Sequence, residues 1–266
     1  MKRFIQGFVA GGAVATLAGL IGLGGAEFRL PLLKGLFRLD TLKAVILNKA
    51  TSLIVVFFAL IFRSHEIPFK EILEYKNIIF NLLLGSLAGA WIAAGVAMKI
   101  KEQTLDRIVL VLLLFLATVL ILEHWFLQDQ NGALFDSWLI EIIAGIVAGF
   151  GIGVVASMLG VAGGELLIPV IVLLYGVDVK IAGTLSLAIS LPTMLVGFAR
   201  YTKSQAFIVL HEERNLFIAL GIGSIIGAAV GSALLGVVSS DVLVLLLALV
   251  LMVSAYKIFV HQKKKQ

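Results

Sequence analysis

Apolar residues run with little interruption along eight stretches of the chain, at 4–21, 44–62, 78–98, 108–127, 139–159, 181–199, 216–238 and 242–260. Each is close to the roughly 20 residues that a helix needs to cross a bilayer. Two shorter runs, 28–37 and 166–175, hold ten residues each. As helices they span about 15 Å at a rise of 1.5 Å per residue, enough to reach the middle of a bilayer and too little to cross it. Before each short run stands a break rich in glycine: GLGGAEFRLP at 22–31 and GVAGGELLIP at 160–169. A helix interrupted inside a membrane frees backbone N–H and C=O groups, which is tolerated only where protein buries them or where they line a cavity. Paired interruptions of this kind point to the binding site of a transporter.

The two breaks belong to a longer repeat. Offset by 138 residues, Gly22, Gly25, Glu27, Pro31, Asp40 and Ala44 fall on Gly160, Gly163, Glu165, Pro169, Asp178 and Ala182, and Gly85, Ser86 and Gly89 fall on Gly223, Ser224 and Gly227. The reading is a first membrane repeat over 1–127, a polar linker at 128–137 and a second repeat over 138–266. Lys and Arg concentrate at alternate ends of the spans, including Lys2, Arg3, Lys34, Arg38, Lys43, Arg214 and the lysine-rich tail. The positive-inside rule places those ends in the cytoplasm. With each short run as one leg of a hairpin, a repeat has five legs, so the second must start on the opposite face from the first. The expectation is an all-α integral membrane protein of two inverted repeats, with eight long transmembrane helices and two short half-helices after the glycine-rich breaks. Glycines four apart, such as Gly7 and Gly11, Gly145 and Gly149, and Gly223 and Gly227, have the spacing that lets two helix backbones approach.

Composition narrows the class further. Hydrophobic residues make up 61% of the 266 and charged ones only 14%, which fits a multi-pass membrane protein. The formal charge of +5 comes from basic residues at span ends, so it does not indicate a nucleic-acid partner. With no cysteine, disulfides and thiolate metal sites are excluded. The four histidines, His65, His124, His211 and His261, sit at span ends without ligand spacing, and no nucleophile triad, zinc-protease motif or phosphate loop is present. Neither an enzyme nor a bound cofactor is therefore expected.

Polar groups at membrane depth carry the candidate chemistry, because each costs about 2.5 to 3.5 kcal/mol to place there and needs a partner or a role. Gly22, Gly24 and Gly25, with Gly160, Gly163 and Gly164, are placed to present short-helix N-termini to a ligand, an arrangement that favours anions. Arg29 and Lys49 have no basic counterpart in the second repeat, where Leu167 and Leu187 stand. They either make the centre electropositive, or reach the cytoplasmic surface or pair with Glu27. Asn48, Thr51 and Ser52, with Thr184, Ser186, Ser190 and Thr193, either hold an oxyanion or bond back to their own helices. Glu27 and Glu165 stand in the first turns of the short helices, where they either complement the helix dipole or carry a coupling proton. Glu165 has no basic neighbour in its stretch and is the better proton site of the two.

With their glycine-rich breaks followed by an acidic residue and a proline, the two halves resemble the sulfite exporter TauE/SafE family over nearly the whole chain. Ala26 and Ala162 stand where the family pattern has glycine. The resemblance implies a carrier of sulfite, sulfonates or related sulfur oxyanions, moving them outward across the bacterial inner membrane. Its partners would be that small anion and the lipid bilayer. The residues alone lead to a secondary transporter with an electropositive centre. A passive anion channel or a non-transporting membrane scaffold is the alternative.

Overall fold

The computed structural model describes residues 2–96, 110–111, 113–118, 121, 138–159, 161–201 and 206–263, and the chain is helical wherever it is regular among them. In order the helices are α1 (Lys2–Ile21), α2 (Ala26–Gly35), α3 (Thr41–Arg63), α4 (Phe69–Glu74), α5 (Lys76–Val96), α6 (Trp138–Leu159), α7 (Gly164–Tyr175), α8 (Val179–Tyr201), α9 (Ala206–Glu212), α10 (Arg214–Leu234) and α11 (Ser240–Lys263). Six helices among the described residues are long and apolar enough to cross a membrane, and the apolar part of α11, Ser240–Tyr256, is somewhat shorter. The expected span at 108–127 falls largely outside the described residues, as does the linker at 128–137. The short helices α4 and α9 have no counterpart in the hydrophobic pattern, because six or seven residues between two spans leave no periodic signature.

Two close helix pairs organise the bundle. Helix α1 lies along α10, and α6 along α5. A methyl group at Gly11 would collide with the Leu220 backbone, and one at Gly223, Gly227 or Gly231 with the carbonyls of Phe8, Gly12 and Thr16. In the second pair Gly85 and Gly89 meet the Ile146 and Phe150 carbonyls, while Gly149 and Gly153 meet those of Leu82 and Ser86. The glycines spaced by four are thus packing surfaces, where small residues let dispersion contacts form in the absence of a hydrophobic driving force between helices. Overfilling a packed contact costs about 1 to 3 kcal/mol. Gly227→Leu is therefore expected to lower the melting temperature of the detergent-solubilised protein by several degrees. Gly151→Leu should leave it in place, since nothing lies within 4 Å of that position.

The other contacts follow the same exchange. Helix α3 packs on α10 and α8 on α5, α2 on α3 and α7 on α8, while α9 touches α3 and α4 touches α8. Between them α3 and α8 run antiparallel through the centre, with Val56, Ala59, Ala162, Leu187, Met194 and Ala228 in one apolar cluster. Asp40 caps α3 by accepting from the Lys43 N–H at 2.9 Å. Asp178, its counterpart, accepts from the Lys180 N–H at 2.8 Å ahead of α8. At the end of the bundle where α1 begins, Arg3 pairs with Glu213 at 3.0 Å and Lys43 with Glu212 at 2.8 Å.

Candidate functional site

Both expected half-helices are present, and each begins at a glycine in the left-handed region: Gly25 at φ 68 before α2 and Gly163 at φ 77 before α7. That conformation costs other residues about 1 to 2 kcal/mol, which explains glycine at both positions. The long helices ahead of them end alike, with Leu23 N–H donating to the Ala18 carbonyl at 2.8 Å and Val161 N–H to that of Ala156 at 3.2 Å. This is the six-residue closure by which helices commonly stop. Pro31 and Pro169 lie inside the half-helices, where each takes one N–H out of the helical ladder.

The breaks meet. A methyl at Gly24 would overlap that of Ala162, and one at Gly164 would lie 3.3 Å from the Gly22 carbonyl oxygen. Gly22 itself, at φ 101, is pressed against the backbone of Gly183 on α8. Ser186 seals this contact, its hydroxyl donating to Gly22 O at 2.7 Å and lying 2.9 Å from Gly183 O. Of the glycines expected at the site, Gly22, Gly24 and Gly164 take part in the contact, while Gly25 and Gly163 sit behind it as the caps. Gly160 lies outside the described residues.

Arg29 and Lys49 are both buried, at 0% and 6% exposure, so neither extends to the surface. They serve different places. Arg29 turns onto α3, where Nη1 donates to Ser52 Oγ at 2.9 Å and reaches the Asn48 carbonyl at 3.5 Å, with the charge of Glu27 close by. Its Nε and Nη2 find no hydrogen-bond acceptor among the described residues. Asn48 Nδ2 donates to Ala26 O at 3.1 Å, so Asn48, Ser52 and Arg29 together anchor the first turn of α2 to α3. Lys49 faces the other half. With Leu53, Ala156, Ser157, Val161, Thr193 and Met194 it lines a cavity of about 10 Å³ beside the end of α6 and the second break. That is room for about one water.

The hydroxyls divide in the same way. Thr51 donates to its own helix at Leu47 O, 2.8 Å away, and Thr193 to Ile189 O at 2.8 Å while lying 2.8 Å from Ser86 Oγ. Thr184 donates to Lys180 O at 3.2 Å. Ser190 is 1% exposed, and its hydroxyl finds no partner among the described residues. Glu165 is buried and Glu27 less so, each in the first turn of its half-helix.

One group escaped the reading of the sequence. Arg63 ends an apolar run and counts in the sequence only as one of three basic residues in the segment 63–76 that weigh against the charge-based topology, yet it is 0% exposed. Its Nη1 donates to Gly19 O at 2.8 Å and Leu20 O at 2.9 Å, Nε to Thr184 Oγ1 at 2.9 Å, and Nη2 to Lys180 O at 2.6 Å. Gly19 and Leu20 belong to the last turn of α1, whose carbonyls have no helical donor because the helix stops there. A cation at that end also complements the helix dipole. Gly183 makes room, since a methyl there would lie 2.8 Å from Arg63 Nη2. Helix α3 therefore carries a cation to each interrupted helix: Arg63 to the end of α1, and Lys49 to the neighbourhood of the end of α6.

The family model described as Sulfite exporter TauE/SafE matches residues 1–120 and 145–266. No curated protein and no solved structure matches the chain.

Proposed function

We propose that this chain, which belongs to the sulfite exporter TauE/SafE family, carries a small sulfur oxyanion such as sulfite or a sulfonate by alternating access about its two glycine breaks. Membership makes it a multi-pass membrane transporter. The substrate, outward direction, proton coupling and placement in a bacterial inner membrane are the finer parts of the proposal. Its main support is Lys49, a buried basic side chain that lines a small cavity beside the second break, with Ser157 and Thr193 as the other polar residues in a mostly apolar wall. In a water-poor centre the attraction between opposite charges is several-fold stronger than in bulk solvent.

The packing supports inverted repeats, because the contacts among α1 to α5 and α6 to α10 keep their partners on exchange of the halves. It also supports motion. A cavity of about 10 Å³ is too small for a sulfur oxyanion, so the halves must separate on one side for the anion to enter. Coupling follows from charge: an ionised Glu165 at the start of α7 competes with the substrate for the same positive helix end. Anion binding thus favours protonation of Glu165, and anion and proton travel together.

Uptake of sulfite into proteoliposomes, with and without an imposed pH gradient, tests this reading. Faster uptake when the proton gradient runs in the same direction is the expected result. Uptake that follows the anion gradient alone would make the chain a passive channel, and absence of uptake for sulfite, sulfonates, sulfate and carboxylates would leave a scaffold.

A further inference from the structure

We infer that Arg63 is the latch that closes the passage on the face where α3 ends and α8 begins, and that it must release when the site opens to that face. The inference rests on the transporter reading above and adds the group that governs one of its two openings. The guanidinium joins parts of the chain that belong to different halves. Gly19 and Leu20 lie in the first, Lys180 and Thr184 in the second, and Arg63 donates to all four. On that face the ends of α1 and α8 cannot move apart while these bonds hold.

The cavity lies on the opposite side of the contact between the breaks. Along α8, Thr184 belongs to the Arg63 cluster and Thr193 to the cavity wall, about 13 Å apart at the helical rise. Along α3, Arg63 and Leu53 are separated by a similar length, and the apolar cluster of Val56, Ala59 and Leu187 fills the interval. The molecule is thus bolted at one end by a charged donor with four acceptors, and holds the small cavity that Lys49 lines toward the other. The position equivalent to Arg63 is Tyr201, and among the described residues no second guanidinium repeats the arrangement.

The four acceptors are neutral, three of them backbone carbonyls, so their affinity for the guanidinium is geometric. A planar fork of five N–H donors can reach all of them, whereas an ammonium is a point charge with three. Arg63→Lys should accordingly weaken the latch, and Arg63→Gln should open it.

Because the chain contains no cysteine, a single reporter can read the opening. Ala59→Cys places a thiol one turn from Arg63 at a position with 0% exposure. In membrane vesicles of both orientations, a membrane-impermeant maleimide applied from the Arg63 face should label this thiol about tenfold faster in the Arg63→Gln background. Arg63→Lys should be intermediate, and labelling from the opposite face should not rise. Thr184→Val, which removes one acceptor, should give a smaller increase with the same sidedness, and it carries the test if Arg63→Gln does not fold. Equal increases from both faces would mean that Arg63 only supports the fold, and unchanged labelling in folded protein would mean that it closes nothing. Either result overturns the inference. Repeating the labelling with sulfite separates it from the proposed function. A sided increase that sulfite leaves untouched keeps the latch and removes sulfite as substrate.

Discussion

Lys49→Gln should raise the apparent KM for sulfite uptake by roughly tenfold to a hundredfold in proteoliposomes, an effect of about 1.4 to 2.8 kcal/mol. Two unit charges 4 Å apart interact by about 4 kcal/mol at an effective dielectric constant near 20, so the forecast allows for greater separation and some screening. Glutamine keeps most of the volume and a hydrogen-bond donor, so the cavity beside Ala156 and Ser157 should keep its shape. Lys49→Arg should retain much of the affinity. If uptake in Lys49→Gln matches the parent at every sulfite concentration, Lys49 is a helix-end counter-charge for α6 and the anion binds elsewhere. Arg29→Gln is the informative comparison. Arg29 is bonded to Ser52 and lies beside Glu27, so its loss should reduce thermal stability more than it changes KM.

Glu165→Gln should abolish the response of uptake to a pH gradient while leaving sulfite binding in place. Glutamine cannot exchange a proton at neutral pH, and as a neutral acceptor it preserves the size of the side chain in the first turn of α7. Were Glu165 only a helix-dipole partner, the change would cost about 0.3 to 1 kcal/mol, too little to remove coupling. Glu27→Gln is the matched control. Glu27 has Arg29 close by, so its replacement should act on that contact and leave the pH response in place. Binding is read separately by sulfite-induced thermal shift. A pH response that survives in Glu165→Gln would transfer the coupling role elsewhere. Equal loss in both variants would show that the asymmetry made by Arg29 does not matter.

Much of this architecture is legible in the residue order because a bilayer leaves the chain few choices. A long apolar segment in lipid must satisfy its own backbone, which it does as a helix, and α1, α3, α5, α6, α8 and α10 appear where the apolar runs predict them. The half-helices were equally readable. Gly25 and Gly163 stand at left-handed positions that disfavour a Cβ, and the proline five residues after each helix start makes the two copies recognisable. Asp40 and Asp178 were visible as a matched pair through the repeat, and both prove to stand at helix starts.

Side-chain direction was less readable. Arg29 and Lys49 present the same cue, a lone basic residue in an apolar stretch, yet one faces its own half and the other the opposite half. Spacing cannot separate them, since the difference depends on which face of α3 meets α2 and which meets α6 and α8. Among the hydroxyls, Thr51 bonds within its helix while Ser186 crosses to Gly22, and both have the same composition signal. Arg63 was the largest omission. Its acceptors are backbone carbonyls, which every residue possesses, and no residue type marks the ones that a broken helix leaves open.

From the sequence by itself came the membrane class, the helices, the repeat, the two interruptions and the family, all consequences of local pattern or of matched positions in one chain. Tertiary structure decided that the interruptions abut at Gly24 and Ala162, that Lys49 borders the cavity there, and that Arg63 closes the end of α1 against α8. The physical reason is range. Helix formation and interruption are settled within a few residues by hydrogen bonding and sterics, whereas the partners of Arg63 lie 44 and 117 residues away along the chain and become acceptors only once α1 has stopped and α8 has packed beside it.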